Sequence, residues 1–347
     1  MFGKRKKTIV GLDIGASSIK IVEVENSNGE LHLVNYGVAD LDPETIVDGE
    51  IMDRQLVVEA IQNLFESRGI SRKRVVAGVH GRGVIVKKIL MERLAEEDAS
   101  EAVYWEAEQH VPYDINDVSI DFQILGVDMG PKQMQVLLVA AKRDLILNLI
   151  DIIREAGLVP DAVDVNSFAV QNVVETVHDI RPEETAVLLD VGAEITNVNI
   201  IREGIPLYTQ DVPQGVNNII RSAQKRFQIS RDEALKVLES GSDRYDIQPL
   251  IDAACKDLAN ILDKSATYLK TAAEGEQIDR IFLSGGGSQI PVFVDTLEKV
   301  QDLPIEIIKP LGRMKYDPAI FSGVEIDKVA PQLAVSIGLA LRKGRAA

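Results

Sequence analysis

IVGLDIGASSIKIVEV, residues 9–24, places an aspartate and a glycine, Asp13 and Gly15, between two apolar runs. A hairpin wants a glycine at such a turn, but nothing in a turn asks for a carboxylate at the end of a buried strand. Residues 186–201, AVLLDVGAEITNVNII, align with this stretch without a gap. Asp13 falls on Asp190, Gly15 on Gly192 and Ala16 on Ala193, with apolar flanks on both sides. One repeat at so long a separation is not a solenoid period. It predicts an α/β protein of two related domains facing each other.

The segments between the repeats predict the rest of the organisation. Residues 31–38 read as a third strand, and 53–68 carry apolar positions at helical spacing until Gly69. Residues 73–165 read as strands at 75–79, 84–90, 118–127, 134–141 and 158–165, with helices at 96–110 and 143–156. That block is expected to be an inserted α+β subdomain. The first domain is then 1–72 together with the C-terminal helix 330–343. The second is 166–329, including a helical region at 215–275. Small residues in 330–340 suit close backbone packing.

Net charge is -16, which disfavours nucleic acid and anionic membranes as partners of most of the surface. The basic cluster Lys4-Arg5-Lys6-Lys7 reads as a solvated tail. A single cysteine, Cys255, excludes an internal disulfide framework. No apolar run is long enough to span a bilayer, so a cytoplasmic protein is expected.

Three glycine-containing turns, 13–18, 190–196 and 284–288, carry the chemistry. Such turns present backbone N–H groups to a phosphate. An aspartate cannot bind phosphate directly, but it can hold hydrated Mg²⁺ through water while phosphate oxygens complete the shell. Asp13 and Asp190 are therefore expected on either side of a metal–triphosphate, one from each domain. No GxGxxG follows a strand and no GxxxxGK[ST] is present, so dinucleotide-fold and P-loop readings fail. His110 and the other histidines lack partners at zinc-ligand spacing. Tyr104 and Trp105 read as packing residues.

Strand–DxG–strand twice, followed by SGGG, resembles the actin-like ATPase superfamily. More closely, EAEQHVPYDINDVSIDFQILG (106–126) and APQLAVSIGLALR (330–342) resemble the type IV pilus assembly PilM family, relatives of the cell-division protein FtsA. The resemblance implies ATP and Mg²⁺ as cofactors. Asp13, Gly15, Ser17, Ser18 and Lys20 match its first phosphate loop, with Lys20 on phosphate oxygens. Asp190, Gly192, Ala193 and Thr196 match the second, and Gly285, Gly286 and Gly287 match the segment beside the nucleoside. Gly215 and Lys236 stand in the stretches that hold the nucleoside, both departing from the usual pattern. Asn166 takes the place of the Glu or Gln that orients the attacking water, and being shorter and no base it implies slow hydrolysis.

The resemblance further implies a nucleotide-gated assembly scaffold recruited to the cytoplasmic face of the inner membrane. Its partner would be the N-terminal cytoplasmic peptide of PilN, docking near the inserted subdomain. PilO and PilP would follow indirectly, with pilus motor ATPases and the platform protein as further contacts and a homo-oligomer possible in principle. Two alternatives stand beside it: an FtsA-like filament-forming protein, and a sugar-kinase-like phosphotransferase with Asp164 as the substrate-facing aspartate.

Overall fold

The computed structural model describes residues 6–47, 49–125, 130, 132–242, 244–272 and 277–342. Lys4 and Arg5 of the basic N-terminal cluster and the residues beyond Arg342 lie outside them.

The chain opens with β1 (Lys6–Ile14), β2 (Ser18–Ser27) and β3 (Glu30–Asp40), an antiparallel meander. A small hairpin, β4 (Ile46–Val47) and β5 (Glu50–Ile51), leads to α1 (Arg54–Ser67). Asp53 caps α1 by accepting from the Leu56 amide at 3.0 Å. Next come β6 (Arg74–Val79), β7 (Val84–Glu92), α2 (Glu96–His110), β8 (Val118–Leu125), β9 (Gln133–Lys142), α3 (Arg143–Glu155) and β10 (Val159–Val165). Helix α4 (Asn166–Val177) crosses to β11 (Thr185–Val191), β12 (Thr196–Arg202) and β13 (Ile205–Val212). Helices α5 (Val216–Phe227), α6 (Arg231–Ser240) and α7 (Gln248–Ala272) precede β14 (Arg280–Ser284), α8 (Pro291–Gln301) and β15 (Ile305–Ile307). The described chain closes with β16 (Lys315–Tyr316), α9 (Ile326–Val329) and α10 (Ala334–Ala340).

The repeat reaches further than the two strands that announce it. One sheet has the order β10-β6-β1-β2-β3-β16 and the other β13-β12-β11-β14-β15. In both, an antiparallel meander is continued by two parallel strands, β6 and β10 in the first, β14 and β15 in the second. Even the turns agree. The Gly15 amide donates to the Ser18 carbonyl at 3.1 Å, and the Gly192 amide to the Ile195 carbonyl at 3.0 Å.

This corrects the expected boundaries. Strands 74–79 and 159–165 are not part of an insertion but the inner and edge strands of the first sheet. Helix α3 buries Leu149, Ile152 and Ile153 among the residues of β1, β2 and α1. The separate unit is therefore 84–142, a sheet of order β7-β9-β8 covered by α2. Likewise β16, from the stretch assigned to the second domain, pairs with β3.

Helices α4 and α10 lie between the sheets. One core joins Val22, Val24 and Val76 of the first sheet to Ala186, Leu188 and Phe282 of the second through these helices. The small residues expected to pack closely do so. A Cβ built on Gly11 would overlap the Ser336 carbonyl, and one on Gly338 would overlap the Ala169 carbonyl. Contact at that distance is open only to glycine.

Candidate functional site

Each hairpin carries its aspartate one residue before the end of its first strand, Asp13 opposite Lys20 and Asp190 opposite Asn197. Both aspartates are buried, at 7% and 9% exposure. Lys20 Nζ donates to Asp13 Oδ2 at 3.1 Å, so the lysine assigned to phosphate also neutralises its own loop's acid. Among the described residues no lysine or arginine forms an ion pair with Asp190. The Ser284 hydroxyl donates to its Oδ1 at 2.6 Å, tying the second loop to the glycine segment that follows β14.

Burial pushes the Asp190 carboxyl above the usual aspartate range. The Ser284 hydrogen bond pulls it back, and the negative charge of Asp13 raises it further. The two carboxylates therefore feel each other across the domain boundary. With one lysine between two acids, the site carries a negative charge that a divalent cation would complement. Among the described residues no group of three or more His, Cys, Asp or Glu could hold a metal alone.

A carboxyl whose pKa is higher folded than unfolded binds its proton more tightly in the folded chain. That stabilisation is complete below the unfolded aspartate value of about 3.9 and is lost as pH rises through the raised value. Asp190→Asn keeps the shape and removes the charge. It should raise the melting temperature of the nucleotide-free protein at neutral pH and flatten its dependence on acid pH. A lower melting temperature at pH 7 would refute the strain assigned to this carboxylate.

The glycines divide by role. A Cβ on Gly285 or Gly287 would overlap Val191, and one on Gly215 would overlap the carbonyls of Gly192 and Ala193. These three let loops approach each other. Only Gly286 has open space where a side chain would be, so the room expected from all three of the GGG run comes from one. Gly215 caps α5, whose first amides at Val216 and Asn217 donate to the Gly192 and Ala193 carbonyls at 3.0 and 2.8 Å. The Thr196 hydroxyl donates to the Gln214 carbonyl at 2.7 Å. A cavity of about 410 Å³ opens beside Thr196, Gly215 and Val191, between α5 and α7.

Two expected residues stand apart. Lys236 is exposed on α6 and does not line that cavity. Asn166 begins α4 at the boundary between the sheets, but it is 5% exposed and its Oδ1 is a buried oxygen without a hydrogen bond. It presses on Gly78, where a Cβ would collide with it. Ser17 and Ser18 hold the first loop through backbone: their carbonyls accept from the Leu41 amide at 2.9 Å and the Gly15 amide at 3.1 Å.

Glu194 was missed. It sits inside the second loop, its carboxylate accepting from Asn217 Nδ2 at 2.6 Å and from both Arg221 terminal nitrogens at 2.9 and 3.2 Å. Asn217 Oδ1 in turn accepts from Arg231 at 2.6 Å, so the loop, α5 and α6 share one polar network. The signal was an acid in DVGAEIT where a phosphate loop has no use for one. Trp105 was misread: it is 59% exposed on α2, braced edge-on by Tyr104 at 6.1 Å.

Two related sheets that face each other, each with an aspartate hairpin at the same end, define an actin-like ATPase fold. Solved structures agree. MreB5 of Spiroplasma citri bound to AMPPNP superposes with a TM-score of 0.51 at 11% identity, covering 96% of this chain and 94% of that one. The PilM–PilN type IV pilus biogenesis complex superposes with a TM-score of 0.85 at 25% identity, covering 96% and 97%. Among curated relatives, FtsA of Borreliella burgdorferi is 22% identical over a gapped alignment that covers 97% of this chain and 91% of the relative. The chain belongs to the type IV pilus assembly protein PilM family, whose sequence profile matches residues 11–344.

Proposed function

We propose that this chain is a nucleotide-gated scaffold of pilus assembly. It would bind ATP with Mg²⁺ between Asp13 and Asp190 and present a docking surface to the N-terminal peptide of a PilN-type inner-membrane protein. The observation that carries the nucleotide half is the pair of buried aspartates, one from each sheet, of which Asp13 alone is paired with Lys20. A ligand bridging the two hairpins would favour one relative orientation of the sheets, and a partner could read that orientation.

The partner half is supported by the solved PilM–PilN complex, similar along nearly the whole chain. The inserted unit offers a matching surface. Asp98, Glu101, Trp105 and Glu108 form one exposed stripe on α2 at helical spacing. A rigid aromatic ringed by acids suits an apolar peptide with a basic residue or two. Recruitment to the cytoplasmic face of the inner membrane would then run through the partner. Among the described residues no helix is long and apolar enough to cross a bilayer.

The phosphotransferase alternative finds no support in Asp164. Its Oδ2 accepts from Arg342 at 2.9 Å and its Oδ1 from the Val165 amide at 2.8 Å, which makes it a structural ion pair. Turnover should accordingly be far below the roughly 10 per second of a dedicated enzyme.

Titrating the full chain with a labelled PilN N-terminal peptide tests the proposal. Binding is expected at micromolar Kd, about 8 kcal/mol, and Trp105→Ala should weaken it about tenfold or more. No anisotropy change at high protein concentration, with or without ATP, would overturn the scaffold reading.

A further inference from the structure

His80 directly follows β6, the strand that runs parallel to β1. Leu12 of β1 pairs with Ala77, and Val165 of β10 pairs with Val79. His80 therefore emerges at the carboxyl ends of three neighbouring strands, with the Asp13 loop on one side and Asn166 on the other. Open α/β sheets bind their ligands in the crevice outside those ends. The internal repeat gives the position a counterpart. Leu189 pairs with Leu283 in the second sheet as Leu12 pairs with Ala77 in the first, so Gly78 corresponds to Ser284 and His80 to Gly286. Gly286 is the glycine with open space at its Cβ position. The first sheet puts an imidazole where the second leaves room.

That imidazole is without a partner. Its Nδ1 is buried and makes no hydrogen bond among the described residues. A carboxylate lies beside each of the other histidines: Glu30 at 3.3 Å from His32, Glu106 at 3.6 Å from His110 and Glu306 at 3.1 Å from His178. Among the described residues His80 has none. Its charge nevertheless reaches the other domain. Burial raises the Asp190 carboxyl most, and the charges of Lys20 and His80 are among the influences pulling it down. The next residue is fastened there as well. Gly81, at φ +92°, donates its amide to Asp211 Oδ2, whose other oxygen accepts from Asn197 Nδ2 at 2.6 Å. A Cβ on Gly81 would lie 3.7 Å from Ile195 Cδ1, in the turn of the second hairpin. The turn that carries His80 is thus held against the second domain's loop.

We propose that His80 contacts the terminal phosphate of a bound nucleoside triphosphate, its Nδ1–H donating to a phosphate oxygen, and so separates triphosphate from diphosphate. This role rests on the ATP reading of the two hairpins. The repeat supplies the direction. Gly286 and the cavity beside Thr196 and Gly215 lie on the second domain's side, so the equivalent place on the first domain faces the other end of the ligand. A phosphate oxygen is also the acceptor that a buried, unpaired ring N–H lacks, and hydrogen bonds to charged groups are the stronger kind. From His80 the chain passes through one short turn to Val84, the first residue of β7. A contact made at the terminal phosphate therefore reaches the inserted unit directly.

Calorimetry on the full chain with Mg²⁺ measures ATP and ADP separately. The parent should prefer ATP, and His80→Ala should weaken ATP about tenfold or more while ADP stays within about twofold. His80→Asn, which keeps a side-chain N–H near the place of Nδ1, should recover part of the loss. A purely structural histidine would weaken both nucleotides alike. A second measurement needs no variant at this position, so the result stands even if those variants fold poorly. In protein carrying isotope-labelled histidine, substitutions of His32, His110 and His178 assign three of the four ring signals and leave the last to His80. That signal should move further with AMPPNP than with ADP. A parent that binds neither nucleotide would sink the ATP reading, and the role of His80 with it. A parent that binds ATP, but whose His80 signal does not distinguish AMPPNP from ADP or whose His80→Ala variant weakens both alike, would overturn the role of His80 alone.

Discussion

Asp13→Ala is expected to weaken magnesium-dependent ATP binding by about tenfold or more, since a carboxylate that organises the metal's waters is lost. The metal-free measurement makes the result diagnostic. Removing Asp13 releases Lys20, its partner at 3.1 Å, and a freed lysine attracts phosphate. ATP without Mg²⁺ should therefore bind the variant at least as well as the parent, while the benefit of adding Mg²⁺ disappears. Calorimetry or a fluorescent ATP analogue, each with Mg²⁺ and with EDTA, reads both effects. Parent and variant with the same magnesium dependence would remove Asp13 from the site.

The largest stability effect belongs to the helix between the sheets. Gly338→Val should cost about 4 kcal/mol or more, placing it among the exceptional substitutions. The added carbons enter the Ala169 backbone of α4, and a backbone carbonyl cannot rotate aside as a side chain can. Gly11→Val is expected to match it, through the Ser336 backbone of α10. Gly286→Ala is the control: with open space at its Cβ position, stability should stay within about 0.5 kcal/mol. Urea midpoints of the three variants check the order. A folded Gly338→Val protein of parental midpoint would show that α4 and α10 do not meet as described.

How much of this was legible in the sequence depends on whether the partners of a residue are local. The hairpins were legible because both strands and the turn lie within 22 residues, Lys6 to Ser27, in the first and 18, Thr185 to Arg202, in the second, and the repeat doubled the signal. Helix α3 was legible from its periodicity and its glycine stop. The boundaries of the insertion were not. Strands 74–79 and 159–165 pair in parallel with residues far along the chain, and a short apolar run does not say which sheet it joins. Trp105 was misplaced because an aromatic residue in a helix gives no sign of which side faces water until the neighbouring strands are known. Glu194 lay in plain view, but its partners Asn217 and Arg221 sit on a helix whose approach no spacing rule announces.

The strand β16 and helix α10 set an order of events in the cell. The first sheet gains its edge partner for β3 only from residues 315–316, and β1 is covered by a helix that begins at Ala334. At roughly 5–20 residues per second on the ribosome, β1 to β3 are finished tens of seconds before those elements exist. The second sheet, whose strands all lie between Thr185 and Ile307, has its own helices in hand by then. The half of the molecule that is made first is thus the half completed last. Until α10 has been made it leaves an apolar sheet face uncovered, the kind of surface that holdase chaperones bind.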